Sequence, residues 1–185
     1  MNAFNFGHFL KKTYYYLTMK KALSIILFLI GSTFAEAQTQ KYQSVFIYSF
    51  TRYVQWPDTY NQGDFEILVL GDSPIINELK SMAQAKKVGE GRAIKVTKIN
   101  GPAEIRKANI LFVSANKSGQ LAEVMEKVSS QAILVITEEP GMGVKGSNIN
   151  FIVKDGKLAF ELNQTSMSKQ NLKVSSELSR LAITI

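Results

Sequence analysis

Cysteine is absent from all 185 residues, and the single histidine, His8, lies ahead of a segment that reads as an export leader. Each absence removes a class of chemistry. Without cysteine there is no disulfide, no thiolate nucleophile and no iron–sulfur or zinc–thiolate site. Without a histidine in the body there is no Ser-His-Asp triad, no imidazole metal site and no His-ligated haem. Carboxylate, lysine or hydroxyl chemistry, chemistry borne by a cofactor, or binding without chemistry remain. No internal repeat or low-complexity linker occurs, and the main apolar run, Ala22 to Phe34, is broken by Gly31 and Ser32. That run is shorter than the ~20 residues a spanning helix needs. Stability must come from packing alone.

What the chain does have at its start is a pattern. Lys20 and Lys21 precede the apolar run, and Ala35-Glu36-Ala37 is a small-x-small sequence. Residues 19–37 therefore read as a signal peptide cut between Ala37 and Gln38. Residues 1–18, with Lys11, Lys12 and three consecutive tyrosines, match neither leader nor body and read as an upstream extension. Processing would leave residues 38–185 as one domain of 148 residues, with 18 basic and 14 acidic side chains and a net charge of +4.

The body opens with helical spacing over Tyr42 to Trp56: Tyr42, Val45, Phe46, Phe50, Tyr53 and Val54 on the apolar arc, Ser44, Tyr48, Thr51 and Gln55 on a narrow wet stripe. Pro57 stops it. Core helix and partner-docking helix both fit such an aromatic face, and an exposed face would favour a homodimer. From Phe65 onward short apolar runs alternate with helical patterns, the mark of βαβ units. Strands are predicted at Phe65 to Leu70, Ile94 to Ile99 (an exposed edge protected by lysines), Ile110 to Val113 and Ala132 to Ile136. Helices follow Ser73-Pro74, burying Ile75, Ile76, Leu79, Met82 and Ala83, and run over Leu121 to Val128. The predicted fold is a three-layer α/β arrangement with a largely parallel sheet of order 2-1-3-4 and helices on both faces. A C-terminal antiparallel hairpin extends the sheet. Asp155-Gly156 is a type I′ pair that sets this hairpin over residues 149–162, with Asn150 facing Glu161, Phe151 facing Phe160 and Val153 facing Leu158. Asn163 and Ser175-Ser176 stand where helix N-caps belong, and Asn171 suits a left-handed stop.

Several groups could carry chemistry or binding. For order 2-1-3-4 the ligand crevice of an α/β sheet falls between Gly71-Asp72-Ser73 and Ser114-Ala115-Asn116, where Asp72, Ser73, Ser114 and Asn116 could hold a small polar molecule or simply cap helices. Gly141-Met142-Gly143 with Gly146 has no helix pattern after it, so it is a mobile loop rather than a dinucleotide fingerprint. Glu138 and Glu139 are adjacent and point apart, unlike paired catalytic carboxylates. Lys86, Lys87, Arg92, Lys95, Lys98, Arg106 and Lys107 face only Glu90 and Glu104, which suits a solvated edge or contact with an acidic envelope surface. Asn150, Glu161 and Asn163 fall together, either as an internally satisfied carboxylate with Arg52 as counter-ion or as a grip on a partner loop.

Three stretches resemble the YfiR family of small exported bacterial proteins: Phe50-Thr51-Arg52-Tyr53-Val54-Gln55-Trp56-Pro57; Ile67-Leu68-Val69-Leu70-Gly71-Asp72-Ser73-Pro74; and a tail containing Gly146-Ser147-Asn148-Ile149-Asn150-Phe151, Phe160-Glu161-Leu162-Asn163 and Leu172-Lys173-Val174-Ser175-Ser176-Glu177-Leu178. The residues that carry the resemblance include Arg52, Trp56, Pro57, Gly71, Asn150, Phe151, Glu161, Asn163, Ser175 and Ser176. It implies a periplasmic repressor that binds the outer domain of a membrane sensor, a diguanylate cyclase or a histidine kinase. No enzyme activity, cofactor or nucleic acid would be involved. A periplasmic small-ligand-binding domain without a sensor partner is the alternative. The chain departs from the family at Ser49, where asparagine is usual, and at Gly146-Ser147, where a Gly-Gly pair is usual. Lacking cysteine, it cannot use a thiol-based release.

Overall fold

The structure is a computed structural model that describes residues 38–185. The leader, its cleavage at Ala37 and the upstream extension lie outside the described residues. Helix α1 covers residues 38–53. It buries Ile47 and Phe50 completely, and the Phe46 and Phe50 rings sit 5.3–6.2 Å from those of Phe151 and Phe160. Its faces differ from the predicted ones. Tyr42 and Val45 are 52% and 56% exposed, whereas Ser44 and Thr51 are buried. Both hydroxyls donate to carbonyls of their own helix, Ser44 to Lys41 at 2.8 Å and Thr51 to Tyr48 at 2.7 Å, so burying them leaves no donor unpaired. The helix also ends three residues before Trp56, because Val54–Gln55 leaves it as strand β1 to pair with a later strand.

The remaining elements are β2 (Phe65–Leu70), α2 (Ile75–Ala85), β3 (Lys87–Val88), β4 (Arg92–Ile99), β5 (Ile110–Val113), α3 (Leu121–Lys127), β6 (Leu134–Thr137), β7 (Ile149–Lys154), β8 (Lys157–Leu162), α4 (Gln164–Lys169), β9 (Lys173–Val174), α5 (Ser176–Leu181) and β10 (Ile183–Thr184). The fold is mixed α/β. Eight strands form one sheet in the order β10-β8-β7-β6-β5-β2-β4-β3, and β1 pairs with β9 apart from it. Strands β4, β2, β5, β6 and β7 run parallel to one another, β3 pairs antiparallel with β4 and β8 with β7, and β10 lies parallel to β8. Strand β4 is not wholly an edge: β3 folds back on its first residues through Gly89 and Gly91, both with positive φ.

Alternation along the strands splits the core between the two faces of the sheet. Phe65, Ile67, Val69, Ile110, Phe112, Leu134 and Ile136 pack with α1, α2, α4 and α5 residues. Leu68, Leu70, Leu111, Val113, Ile133 and Val135 pack with Leu121, Val124 and Val128. Each such buried side chain contributes about 1.5–3 kcal/mol of transfer free energy. At the hairpin, Asp155 and Gly156 have φ of 51° and 71°, the double left-handed turn that a two-residue loop demands, and the register runs from Ile149↔Leu162 to Lys154↔Lys157. Its tip projects on one strand: Phe151 and Phe160 are buried, and Val153 is 71% exposed while its partner Leu158 is half-buried against the core.

Candidate functional site

Three neighbouring strands place a polar row in the sheet. Thr137 on β6 is the register partner of Asn150 on β7, which is the partner of Glu161 on β8. The Thr137 hydroxyl donates to Asn150 Oδ1 at 2.8 Å, and Asn150 Nδ2 donates to Glu161 Oε2 at 2.9 Å. Thr137 and Asn150 are buried and Glu161 is half-buried. A buried amide with both ends paired orients the carboxylate at the rim without leaving a polar atom stranded.

The loop over residues 138–148, which includes the predicted mobile stretch from Gly141 to Gly146, is tied to this row and to α4 and its cap by several hydrogen bonds. Asn163 Nδ2 donates to the Gly143 carbonyl at 3.0 Å, and Ser166 Oγ donates to that of Gly146 at 2.6 Å. Ser147 Oγ lies 2.9 Å from the Thr137 hydroxyl, and Met142 is buried in the core. Ser147 thus adds a bonding group to the network. Gly143 is needed for close approach: a Cβ there would stand 2.5 Å from Glu161 Oε2. Asn163 caps α4 by accepting from Ser166 N at 2.9 Å, and Asn148 accepts from Val135 N at 2.7 Å while donating to Ser166 Oγ at 3.0 Å. Beside this fastened loop opens a cleft of about 810 Å³. Its walls include Met125, Val144, Lys145, Asn163, Lys169 and Gln170.

The crevice predicted between the ends of β2 and β5 is filled by the chain itself. Gly71, with φ +89°, lies so close to the opposite loop that a Cβ would meet Ser114 Oγ and Lys117 Cγ at 2.5 Å and Asn116 Oδ1 at 2.6 Å. Ser114 Oγ is within 2.5 Å of the Leu70 carbonyl and 2.7 Å of Asn116 Oδ1. Asp72 pairs with Lys98, and Ser73 Oγ accepts weakly from Ile75 N at 3.4 Å. These four residues bond within the chain rather than lining a space between them.

Other predicted residues are structural in their contacts. Trp56 donates its indole N–H to the Asn109 carbonyl at 3.1 Å and meets Phe65 edge-on at 5.3 Å. Pro57 is extended after it. Arg52 is exposed, its guanidinium 5.5 Å and 5.9 Å from the Tyr48 and Tyr53 ring centres, so its contacts are with α1 tyrosines rather than with Glu161. Ser175 caps α5 by accepting from Leu178 N at 3.2 Å, with Ser176 as the first helical residue. Glu138 accepts from Gln43 Nε2 and from Ala115 N, both at 3.2 Å, which makes it a brace between α1 and the loop after β5. Much of the basic run is engaged: Lys95 and Arg106 with Glu66, Lys98 with Asp72, Arg92 with the carbonyls of Tyr60, Gly63 and Asp64, and Lys107 with that of Thr59. Burial holds the Arg92 guanidinium below its usual pKa, partly offset by Asp64.

Thr137, Ser166 and Gln170 were not singled out from the sequence, and Gly143 and Asn148 were named there only as parts of the glycine loop and of the tail stretch. Only Asn148 carried a signal, since it alternates with Asn150 at the start of a strand. Among the described residues no group of three or more His, Cys, Asp or Glu is placed to hold a metal ion, and no helix is long and apolar enough to cross a membrane. A family model described as YfiR/HmsC-like matches residues 40–183. No curated protein matches the chain.

Proposed function

The chain belongs to the YfiR/HmsC-like family, and from that premise we propose that it is an exported, periplasmic regulatory protein. It represses or modulates a transmembrane signalling protein, a diguanylate cyclase or another sensor such as a histidine kinase, by binding its extracytoplasmic domain. It transforms no compound itself. The family match across residues 40–183 is the observation that carries this reading. The leader pattern before Gln38 and the lack of histidine and cysteine after it agree with that role.

Regulation by binding is a matter of differential affinity. To move a sensor from mostly active to mostly silent, the protein must bind the silent state about 10⁴-fold more tightly, roughly 5.5 kcal/mol. A surface held by internal hydrogen bonds, such as the rim formed by Glu161 and the 138–148 loop, loses little entropy on docking. The test is retention. The protein is immobilised and detergent-solubilised membranes of its host are passed over it. A transmembrane protein with an extracytoplasmic domain is expected among the retained species. Retention of no membrane protein, or turnover of a metabolite by the purified chain alone, would sink the reading.

A further inference from the structure

Helix α1 has two unlike faces. Ile47 and Phe50 are fully buried, while Val45, Tyr48, Ser49 and Arg52, at i, i+3, i+4 and i+7, make one stripe on the opposite side. Val45 is 56% exposed, and Tyr42, one turn before it, is 52% exposed. This apolar surface stands beside charge of one sign. No Asp or Glu occurs between Gln38 and Pro57, where the charged side chains are Lys41 and Arg52 alone.

Aromatic rings, rather than acids, hold the cations of this face. The Arg52 guanidinium stands 5.5 Å from the Tyr48 ring centre and 5.9 Å from that of Tyr53, and Lys86 Nζ, at the end of α2, stands 5.9 Å from the Tyr48 ring. The Tyr48 hydroxyl donates to the Lys87 carbonyl at 3.1 Å, which anchors the ring between the two elements. Arg52, Lys86 and Lys87 are exposed, and none of them forms an ion pair with a described Asp or Glu. The basic run around β4 is the opposite case, since Lys95, Lys98 and Arg106 each meet a carboxylate of the same chain. Two cations on one tyrosine ring repel each other. An incoming carboxylate relieves that repulsion, and the rings keep the guanidinium oriented towards it, which limits the entropy lost on docking. Tyrosine and arginine are also the side chains that most often anchor interfaces.

We propose that the outer face of α1, with Lys86 and Lys87 beside it, docks an acidic segment of the partner's extracytoplasmic domain. Carboxylates of that segment meet Arg52, Lys86 and Lys87, and its apolar side chains cover Tyr42 and Val45. The proposal rests on the regulatory reading and adds to it the surface used and the charge of what it meets.

The experiment measures the affinity of the protein for the transmembrane protein retained from solubilised membranes, purified whole in detergent. Arg52→Ala with Lys86→Ala and Lys87→Ala should weaken binding about 30-fold or more, whereas the same loss of charge at the exposed Lys154, Lys157 and Lys169 should change it less than about threefold. Val45 supplies a test of sign: Val45→Glu should abolish binding that Val45→Lys retains. All these positions are exposed, so melting temperatures should match that of the parent. Equal weakening by the two triple variants would reduce the effect to net charge and overturn the proposal, as would Val45→Glu and Val45→Lys behaving alike. Loss of self-association in the Arg52 triple variant, with binding to the membrane protein intact, would make the face a contact between copies and equally overturn it. If the parent retains no membrane protein, the regulatory reading fails and this proposal with it; if the parent binds and the α1 variants bind as tightly, this proposal alone fails.

Discussion

Two regions of this molecule carry similar sets of polar residues and differ in one respect. At the ends of β2 and β5, Asp72, Ser73, Ser114 and Asn116 meet partners in the chain, and Gly71 lets the two loops close on each other. Beside α4, Asn163 and Ser166 are paired, but Gln170 is buried with its amide unpaired. Polar residues at the position where α/β sheets usually bind ligands are therefore not enough to make a site. What the second region has and the first lacks is a buried amide whose hydrogen-bonding capacity the chain itself does not use.

The comparison breaks most visibly if the first region has slack. Gly71→Ala puts a methyl group at 2.5 Å from Ser114 Oγ and Lys117 Cγ, on a backbone with φ of +89° that side chains rarely adopt. Denaturant unfolding should show a loss of about 3 kcal/mol, and thermal unfolding a drop of about 6–12 °C. Unchanged stability would mean that the loops have room between them, and the crevice would regain its claim as a ligand site.

A smaller effect tests how firmly the second region's rim is held. Gly143→Ala drives a methyl group against the Glu161 carboxylate and should cost about 1–2 kcal/mol. In a Glu161→Ala background the part of that cost due to the carboxylate should vanish, a coupling of about 1 kcal/mol in a double-mutant cycle, while the 2.7 Å approach to Ile185 Cδ1 remains. Simple additivity of the two changes would show that the carboxylate is free to swing away. The polar row from Thr137 through Asn150 would then not be orienting it.

The hairpin register was legible because Asp155-Gly156 specifies a two-residue turn, and such a turn fixes every pair behind it. That placed Asn150 opposite Glu161 without any structure. Thr137 joins them through parallel pairing across the 138–148 loop, whose length sets no register, so the third member of the row was invisible. Caps at Asn163 and Ser175 were readable, since N-cap preference is a local property. The burial of Ser44 and Thr51 was not, because a short hydroxyl can satisfy itself on its own helix and then pack as if apolar. The unpaired state of Gln170 depends on everything around it and on no local pattern, so it carried no sequence signal at all.

The smallest effect lies at α5, where polar groups again bond within the chain, this time in full view of solvent. Hydrogen bonds from its own backbone N–H, and then from the Ser175 side chain, hold the Glu177 carboxyl below its usual pKa of 4.5. A carboxylate with a lower pKa in the folded state stabilises the protein above the unfolded value and loses that contribution as pH falls through the folded one. Glu177→Gln should therefore flatten the pH dependence of stability below about 4.5 and leave the profile between pH 6 and 8 unchanged in shape. An identical acid limb in the two proteins would show that the cap bonds are not kept in solution. A difference confined to that limb would place α5 with the crevice at Gly71, among the parts whose polar groups answer one another, and leave Gln170 as the contrast.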